Sequence, residues 1–150
     1  MISSEEILTG VIEWNLNSFY LFIIIIMKFE NIENLIVRQK AKTLTLETIA
    51  ALHDAKDGIV KERLSKSCIT IMNTIAEWYE KPSRKELIDQ LYTTKVSCGS
   101  CRSLLHLALD LGLMDNAMHH KLIDASLDVT KLLAGFIKKL KEPKAAPTEA

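Results

Sequence analysis

The sequence has few of the residues that end or bend secondary structure. Its 150 residues include only five glycines and three prolines. Because these two residues supply most tight turns, their scarcity argues against a fold of many short strands and favours long helices joined by few loops. Apolar residues make up 48% of the chain and charged residues 25%. This balance predicts a single domain with its own hydrophobic core.

The chain also has no excess of one charge sign, since it contains 19 basic and 19 acidic residues. Their distribution is uneven, because residues 1–26 hold Glu5, Glu6 and Glu13 but no Lys or Arg. Residues 27–150 therefore carry a net charge of +3. A dedicated nucleic-acid binder usually shows a stronger basic bias, because phosphate neutralisation supplies most of its non-specific affinity. The charge balance neither requires nor excludes such a partner.

Cysteine is scarce, and the count of three is odd. The N-terminal region does not resemble a secretion signal, because it is acidic where such a signal is basic. These features predict reduced thiols in a cytoplasmic protein rather than a disulfide framework.

No apolar run is long enough to cross a membrane. The longest such stretch, Phe19 to Met27, has nine residues, whereas a spanning helix needs about 20. We interpret residues 1–27 as an extension outside the main fold, with Met27 as a candidate start. The alternatives are an extra helix that packs on the bundle or on a partner, and attachment to a membrane surface.

Motifs typical of enzymes are missing. The sequence contains no glycine-rich phosphate loop, no nucleophile elbow and no metalloprotease helix motif. We therefore predict a protein that is not an enzyme and has no cofactor.

Hydrophobic periodicity predicts four helices. The first covers about residues 32–55, the second about 59–79, the third follows Ser83 as far as Gly112, and the fourth follows Asp115 or Asn116 as far as Lys141. For the first helix we predict a core face of Ile32, Leu35, Ile36, Thr43, Leu46, Ile49 and Ala50, with Gln39 as a polar member. For the second we predict Val60, Leu64, Cys68, Ile71, Ile75 and Trp78. For the third we predict Leu87, Leu91, Thr94, Cys98, Cys101, Leu105 and Ala108. For the fourth we predict Leu122, Val129, Leu133, Phe136 and Leu140, with Ile123, Leu127 and Ile137 beside them.

The boundaries of these helices have clear signals. Pro82 ends the second helix, and Ser83 with Glu86 has the spacing of a capping box that starts the third. Gly112 is a C-terminal cap candidate. Short links favour antiparallel neighbours. We therefore predict an all-α fold, an antiparallel up-down-up-down four-helix bundle over residues 28–141 with a disordered tail at 142–150. A three-helix core with one helix swung out is the alternative.

Five ordered motifs resemble a known bacterial family. Residues 35–41 (LIVRQKA) resemble L-x-V-W-Q-K-A, and residues 71–77 resemble I-P-S-N-I-A-E. Residues 80–86 resemble E-R-x-S-x-x-E, residues 95–102 with 107–112 resemble A-K-G-S-x-x-E-L and L-A-x-x-L-G, and residues 131–138 resemble the closing helix. Residues 29–141 are thus similar to the four-helix-bundle proteins encoded by intervening sequences of 23S rRNA genes. That family is similar to the accessory variability determinant (Avd) of diversity-generating retroelements.

The resemblance implies a small non-enzymatic bundle that assembles as a ring-shaped homopentamer. The retroelement branch of the family binds a reverse transcriptase and nucleic acid, so the resemblance also implies RNA, DNA or a reverse transcriptase as partner. The alternative is a purely structural protein of the ribosomal-RNA branch with no nucleic-acid contact. The sequence departs from the family motifs at Arg38, Thr74, Trp78, Val96 and Ser100.

Two groups of residues could carry chemistry. Cys98 and Cys101 have the C-x-x-C spacing of a redox pair, but they lie inside the third helix on its predicted core face. We expect buried packing, with redox activity and zinc binding shared with Cys68 or histidines as alternatives. His119 and His120 point about 100° apart on a helix. We therefore expect a solvated helix start rather than a metal site.

Basic side chains give the candidate binding residues. We expect Lys61, Arg63 and Lys66 to form a ring of positive charge if several subunits assemble, which would attract RNA or DNA. The remaining candidates for binding nucleic acid or a partner are Arg84, Lys85 and Arg102.

Overall fold

The described residues form four helices. The computed structural model describes residues 36–56, 58–81 and 83–142. Helix α1 is Ile36–Ala51, α2 is Gly58–Glu77, α3 is Arg84–Asp110 and α4 is Asn116–Lys141, with a 3-10 turn at Trp78–Glu80 after α2. The part of the chain that the structure describes contains no strand. The predictions for residues 1–27 and for the tail beyond Glu142 fall outside these residues.

The helices pack in the cyclic order α1, α2, α3, α4 and back to α1. Helices α1 and α2 run in opposite directions. Thr45 Oγ1 donates to the Cys68 carbonyl at 3.2 Å, while the later residue His53 accepts at 2.9 Å from Nζ of the earlier residue Lys61. The pairs Glu77 with Gln90 and Cys68 with Cys101 show the same for α2 and α3. The all-α four-helix bundle is therefore confirmed, and α1 and α3 lie on a diagonal of it.

The core faces of α2 and α3 are those that the spacing predicts. The predicted faces are buried in full on both helices. On α4 the buried residues also include Ser126 and Ile137, while Phe136 is half-buried and packs on the core. A regular apolar stripe that continues along the whole helix is enough to predict burial here.

The predicted core face of α1 is wrong. Val37, Ala41, Leu44 and Thr48 are buried, whereas the predicted Ile36, Thr43, Leu46, Ile49 and Ala50 are all exposed. Ile32 and Leu35 lie outside the described residues. The helix carries two apolar stripes on opposite faces, and the bundle buries the one with the smaller side chains. The larger stripe therefore points outward.

Caps fix the ends of α3 and α4. Ser83 Oγ accepts from the Glu86 amide at 3.2 Å, as in a capping box. The Glu86 carboxylate accepts from the Ser83 hydroxyl at 2.9 Å, whereas a full capping box would have it accept from the Ser83 amide. Asp115 caps α4 by accepting from the Met118 amide at 2.8 Å. Gly112 has a φ of 71°, and the Leu113 and Gly112 amides donate to the Ala108 and Leu109 carbonyls. This is the Schellman arrangement of a glycine cap.

Candidate interaction surfaces

The outward face of α1 is the main apolar surface of the bundle. We define the outer stripe of α1 as Ile36, Thr43, Leu46, Ile49 and Ala50. All five are exposed, with 62% of Ile36 and 59% of Leu46 accessible to solvent. The flanks of the helix are occupied by neighbours, because Thr45 contacts α2 while Lys40 forms an ion pair with Asp128 of α4. The outer stripe therefore faces away from the other three described helices.

A second apolar surface lies on α3. We define the outer stripe of α3 as Val96, Ser100, Ser103, Leu107 and Leu111, which share one outward face at steps of four and three residues. Val96 is 70% exposed. Because α1 and α3 lie on a diagonal of the bundle, the two outer stripes point in opposite directions.

The basic residues of α2 do not share one face. Lys61 is half-buried, and its ammonium group donates to the His53 carbonyl at the link between α1 and α2. Arg63 and Lys66 are exposed. At 100° per residue, they lie on the part of α2 that faces away from Lys61 and α1. The structure thus brings Arg63 and Lys66 together and leaves Lys61 apart.

The other candidate binding residues lie elsewhere. Arg84 and Lys85 open α3, at the end of the bundle opposite the start of α2. Arg102 lies in the middle of α3, where its guanidinium donates to Thr130 Oγ1 at 2.8 Å and Ser126 Oγ at 3.2 Å. Arg102 therefore links α3 to α4. The six candidates occupy four separate places, and whether any of them binds a partner stays a prediction.

The three thiols are packed inside the bundle. Cys68, Cys98 and Cys101 are free and fully buried, with the sulfurs of Cys68 and Cys101 3.6 Å apart. Burial raises the pKa of the Cys98 thiol. The hydrogen bond with Cys68, together with burial, raises the pKa of Cys101. The same bond lowers the pKa of Cys68. At Cys98 and Cys101, the two residues of the C-x-x-C spacing, the raised pKa favours the unreactive thiol over the thiolate, so the structure favours packing over redox chemistry for that pair.

Two histidines meet across α3 and α4. His119 Nε2 lies 3.0 Å from His106 Nδ1, and the ring centroids are 4.9 Å apart. His120 instead lies 3.4 Å from Asp124. The sequence suggests the adjacent pair His119 and His120, whereas the fold pairs His119 with His106. His106 and His119 are 13 residues apart in the chain. Their pairing depends on the register of α3 against α4, which the local sequence does not give.

Within the described ranges there is no larger metal site and no helix suited to spanning a membrane. No group of three or more His, Cys, Asp or Glu side chains there could hold a metal ion. No helix in residues 36–142, outside the two gaps, combines the length and apolarity that a membrane span requires.

Comparison with known proteins places the chain. No curated protein and no solved structure matches it. Residues 33–135 match the family described as 23S rRNA-intervening sequence protein, and this match covers more than half of the 150 residues. It spans all four helices of the bundle except the last turns of α4. The chain therefore belongs to the 23S rRNA-intervening sequence protein family.

Proposed function

We propose that this protein is a non-catalytic scaffold of the cytoplasm, which self-associates through the outer stripes of α1 and α3. In this proposal the assembly presents basic side chains to nucleic acid or to a nucleic-acid enzyme such as a reverse transcriptase. One observation carries it: the outer stripe of α1 exposes large aliphatic side chains at helical spacing, although the bundle already buries another face of that helix.

The outer stripe of α1 has the properties of a helix-packing surface. Its members recur at steps of seven, three, three and one residues, which keeps them on one side of the helix. Ile69 of α2 is 39% exposed. It lies at the same level of the bundle as the middle of α1, because Thr45 bonds the Cys68 carbonyl. Contiguous exposed apolar surface of this kind marks protein interaction sites.

The position of the two outer stripes favours a ring over a simple dimer. A contact between the α1 stripe of one subunit and the α3 stripe of the next joins two different surfaces. Such heterologous contacts generate closed rings when the rotation between subunits closes. The family resemblance supports a closed ring of five subunits.

Measuring the mass of the assembly tests this proposal. We expect the unmodified chain to scatter light as an oligomer and Leu46→Lys to scatter as a monomer of 16.9 kDa, because a buried lysine opposes the contact. Ala117→Lys is the matched control, since Ala117 is exposed on α4, away from both stripes. Circular dichroism should show the same helix content in all three proteins. A monomeric unmodified chain, or an oligomeric Leu46→Lys variant, would overturn the proposal.

Nucleic-acid binding is supported by the exposed basic pair of α2. Arg63 and Lys66 face solvent, and neither takes part in an ion pair among the described residues. A ring would repeat this pair once in every subunit. Repeated positive charge attracts phosphate backbones, and the resulting binding weakens as salt is added.

Charge reversal tests the nucleic-acid part of the proposal. We expect labelled RNA or DNA to bind the unmodified assembly at low salt, and Arg63→Glu with Lys66→Glu to weaken that binding by at least about tenfold. Lys138→Glu with Lys139→Glu is the control, because those lysines are exposed at the opposite end of the bundle. The single variant Lys61→Glu measures separately how much the half-buried Lys61 contributes to nucleic-acid binding.

A second function is favoured by the even charge balance of the whole chain. With 19 basic and 19 acidic residues, the protein could be a structural product of its gene with no nucleic-acid contact. The same binding experiment distinguishes the two functions. Absence of binding at low salt by a chain that does assemble would support this second function and contradict the first.

A further inference from the structure

The histidine pair between α3 and α4 places two imidazole nitrogens at chelating distance. His119 Nε2 and His106 Nδ1 are 3.0 Å apart. Imidazole nitrogens bind divalent transition metals at about 2.0–2.1 Å. Two nitrogens 3.0 Å apart then subtend an angle of about 90–97° at the metal, by the bond lengths just given. This is the angle between neighbouring ligands in square-planar or tetragonal coordination, which Cu²⁺ and Ni²⁺ prefer.

The surroundings of the histidine pair leave room for a metal ion. His106 is exposed and His119 half-buried, so a hydrated ion can approach from solvent. Asp115 caps α4 through the Met118 amide and Asp124 lies against His120. Asp110, one turn after His106, does not complete a cluster either, because no group of three or more His, Cys, Asp or Glu side chains in the described ranges could hold a metal ion. Water would therefore complete the coordination sphere.

We propose that His106 and His119 form a two-histidine site for Cu²⁺ or Ni²⁺ that clamps α3 to α4. The site is independent of self-association and of nucleic-acid binding. In the metal-free pair, the N–H of one imidazole donates a hydrogen bond to the facing nitrogen of the other. On binding, that imidazole moves its proton to its other ring nitrogen, and both facing nitrogens donate their lone pairs to the metal. Each ring turns by roughly 45° so that the lone pairs converge on the metal, which the broad χ2 torsion of histidine permits.

Titration with Ni²⁺ alone tests the site in the full chain. We expect one Ni²⁺ to bind per chain, and His106→Ala and His119→Ala each to weaken binding by at least about tenfold, because each leaves a single imidazole. His120→Ala is the matched control, since His120 is adjacent to His119 in sequence but lies against Asp124. His53→Ala, at the exposed link after α1, is a second control. Both controls should bind Ni²⁺ as the unmodified chain does.

Thermal unfolding gives an independent readout. A metal that joins two helices binds the folded state and raises its melting temperature. We expect Ni²⁺ to raise the melting temperature of the unmodified chain and of His120→Ala, but not that of His106→Ala. Circular dichroism of the metal-free variants checks that they fold. Equal Ni²⁺ affinity in the unmodified chain and His106→Ala would show that the pair is a hydrogen bond only and would overturn the proposal.

Discussion

Trp78 joins three elements of the bundle through one side chain. It follows α2, its indole Nε1 donates to Thr94 Oγ1 of α3 at 3.3 Å, and its ring meets Phe136 of α4 edge-on at a centroid distance of 6.3 Å. A buried indole N–H without a partner would cost free energy. The Thr94 hydroxyl therefore lets a large aromatic residue fill the core near the turn from α2 to α3.

The hydrogen bond of Trp78 can be tested with an isosteric change. We expect Thr94→Val to lower the free energy of unfolding by about 1–2 kcal/mol, because the buried indole loses its acceptor. Thr70→Val is the matched control, since Thr70 is exposed and its hydroxyl donates to the Lys66 carbonyl one turn back, as the Thr94 hydroxyl does to the Gln90 carbonyl. Urea unfolding of both variants gives the comparison. Equal losses in the two would contradict a role for the indole bond.

The buried thiols make stability depend on pH. Burial raises the pKa of the Cys98 thiol. The bond between Cys68 and Cys101 raises the pKa of Cys101 and lowers that of Cys68, so the effects of these two thiols on stability oppose each other. The unfolded chain ionises its thiols near pH 8.5, while the folded chain keeps Cys98 protonated. The stabilisation is therefore complete below about pH 8.5 and is lost as the pH rises above that value.

We expect Cys98 to lower the free energy of unfolding by about 1–2 kcal/mol between pH 8.5 and pH 10, because one thiol contributes up to about 1.4 kcal/mol per pH unit. Cys98→Ala should be less stable at neutral pH and should show a shallower fall. Denaturant unfolding across this pH range measures both. A Cys98→Ala chain with the same slope as the unmodified one would show that other groups cause the fall.

At the scale of the elements, two glycines have opposite roles. Gly112 ends α3 with a φ of 71°, while Gly135 lies inside α4 and is exposed. An added Cβ meets no atom within 4 Å at either position. Backbone conformation alone therefore decides the effect of a substitution.

We expect Gly112→Ala to destabilise the protein by about 1–2 kcal/mol, because a left-handed conformation strains an L-residue. The same change at Gly135 should stabilise it by about 0.5–1 kcal/mol, because alanine favours a helix interior. Thermal unfolding of the two variants measures the difference. Effects of the same sign would contradict the assignment of Gly112 as the cap of α3.

The sequence predicts most elements of this fold but not the orientation of α1. On α2 and α3 one stripe, which includes Leu64 and Leu91, is mostly apolar along the whole helix, whereas the outer stripe of α3 is interrupted by Ser100 and Ser103, so one core face is favoured. Helix α1 carries two stripes, and periodicity cannot tell which one the monomer buries. The outer stripe of α1 was therefore visible in the sequence, but its role as a surface was not. The pair His106 and His119 depends on how α3 and α4 align, which no local pattern determines.

At the scale of the whole molecule, the bundle has two apolar faces that it does not use itself. The outer stripes of α1 and α3 point in opposite directions, and both expose large side chains, as Leu46 and Val96 show. If the contact joined α1 to α1, a symmetric dimer would form and the stripe of α3 would not matter. If it joins α1 to α3, each subunit needs both stripes to build a ring.

Mixing two variant subunits distinguishes assembly through the stripes of α1 and α3 from assembly through α1 alone. We expect Leu46→Lys and Val96→Lys to be monomers when alone, because each lacks one of the two surfaces. In an equimolar mixture, the intact α3 stripe of the first can still pair with the intact α1 stripe of the second. Light scattering should then detect a dimer of one subunit of each kind, with about twice the 16.9 kDa mass of the chain and no larger ring. A mixture that stays monomeric, or a Val96→Lys chain that still assembles alone, would contradict assembly through opposite faces.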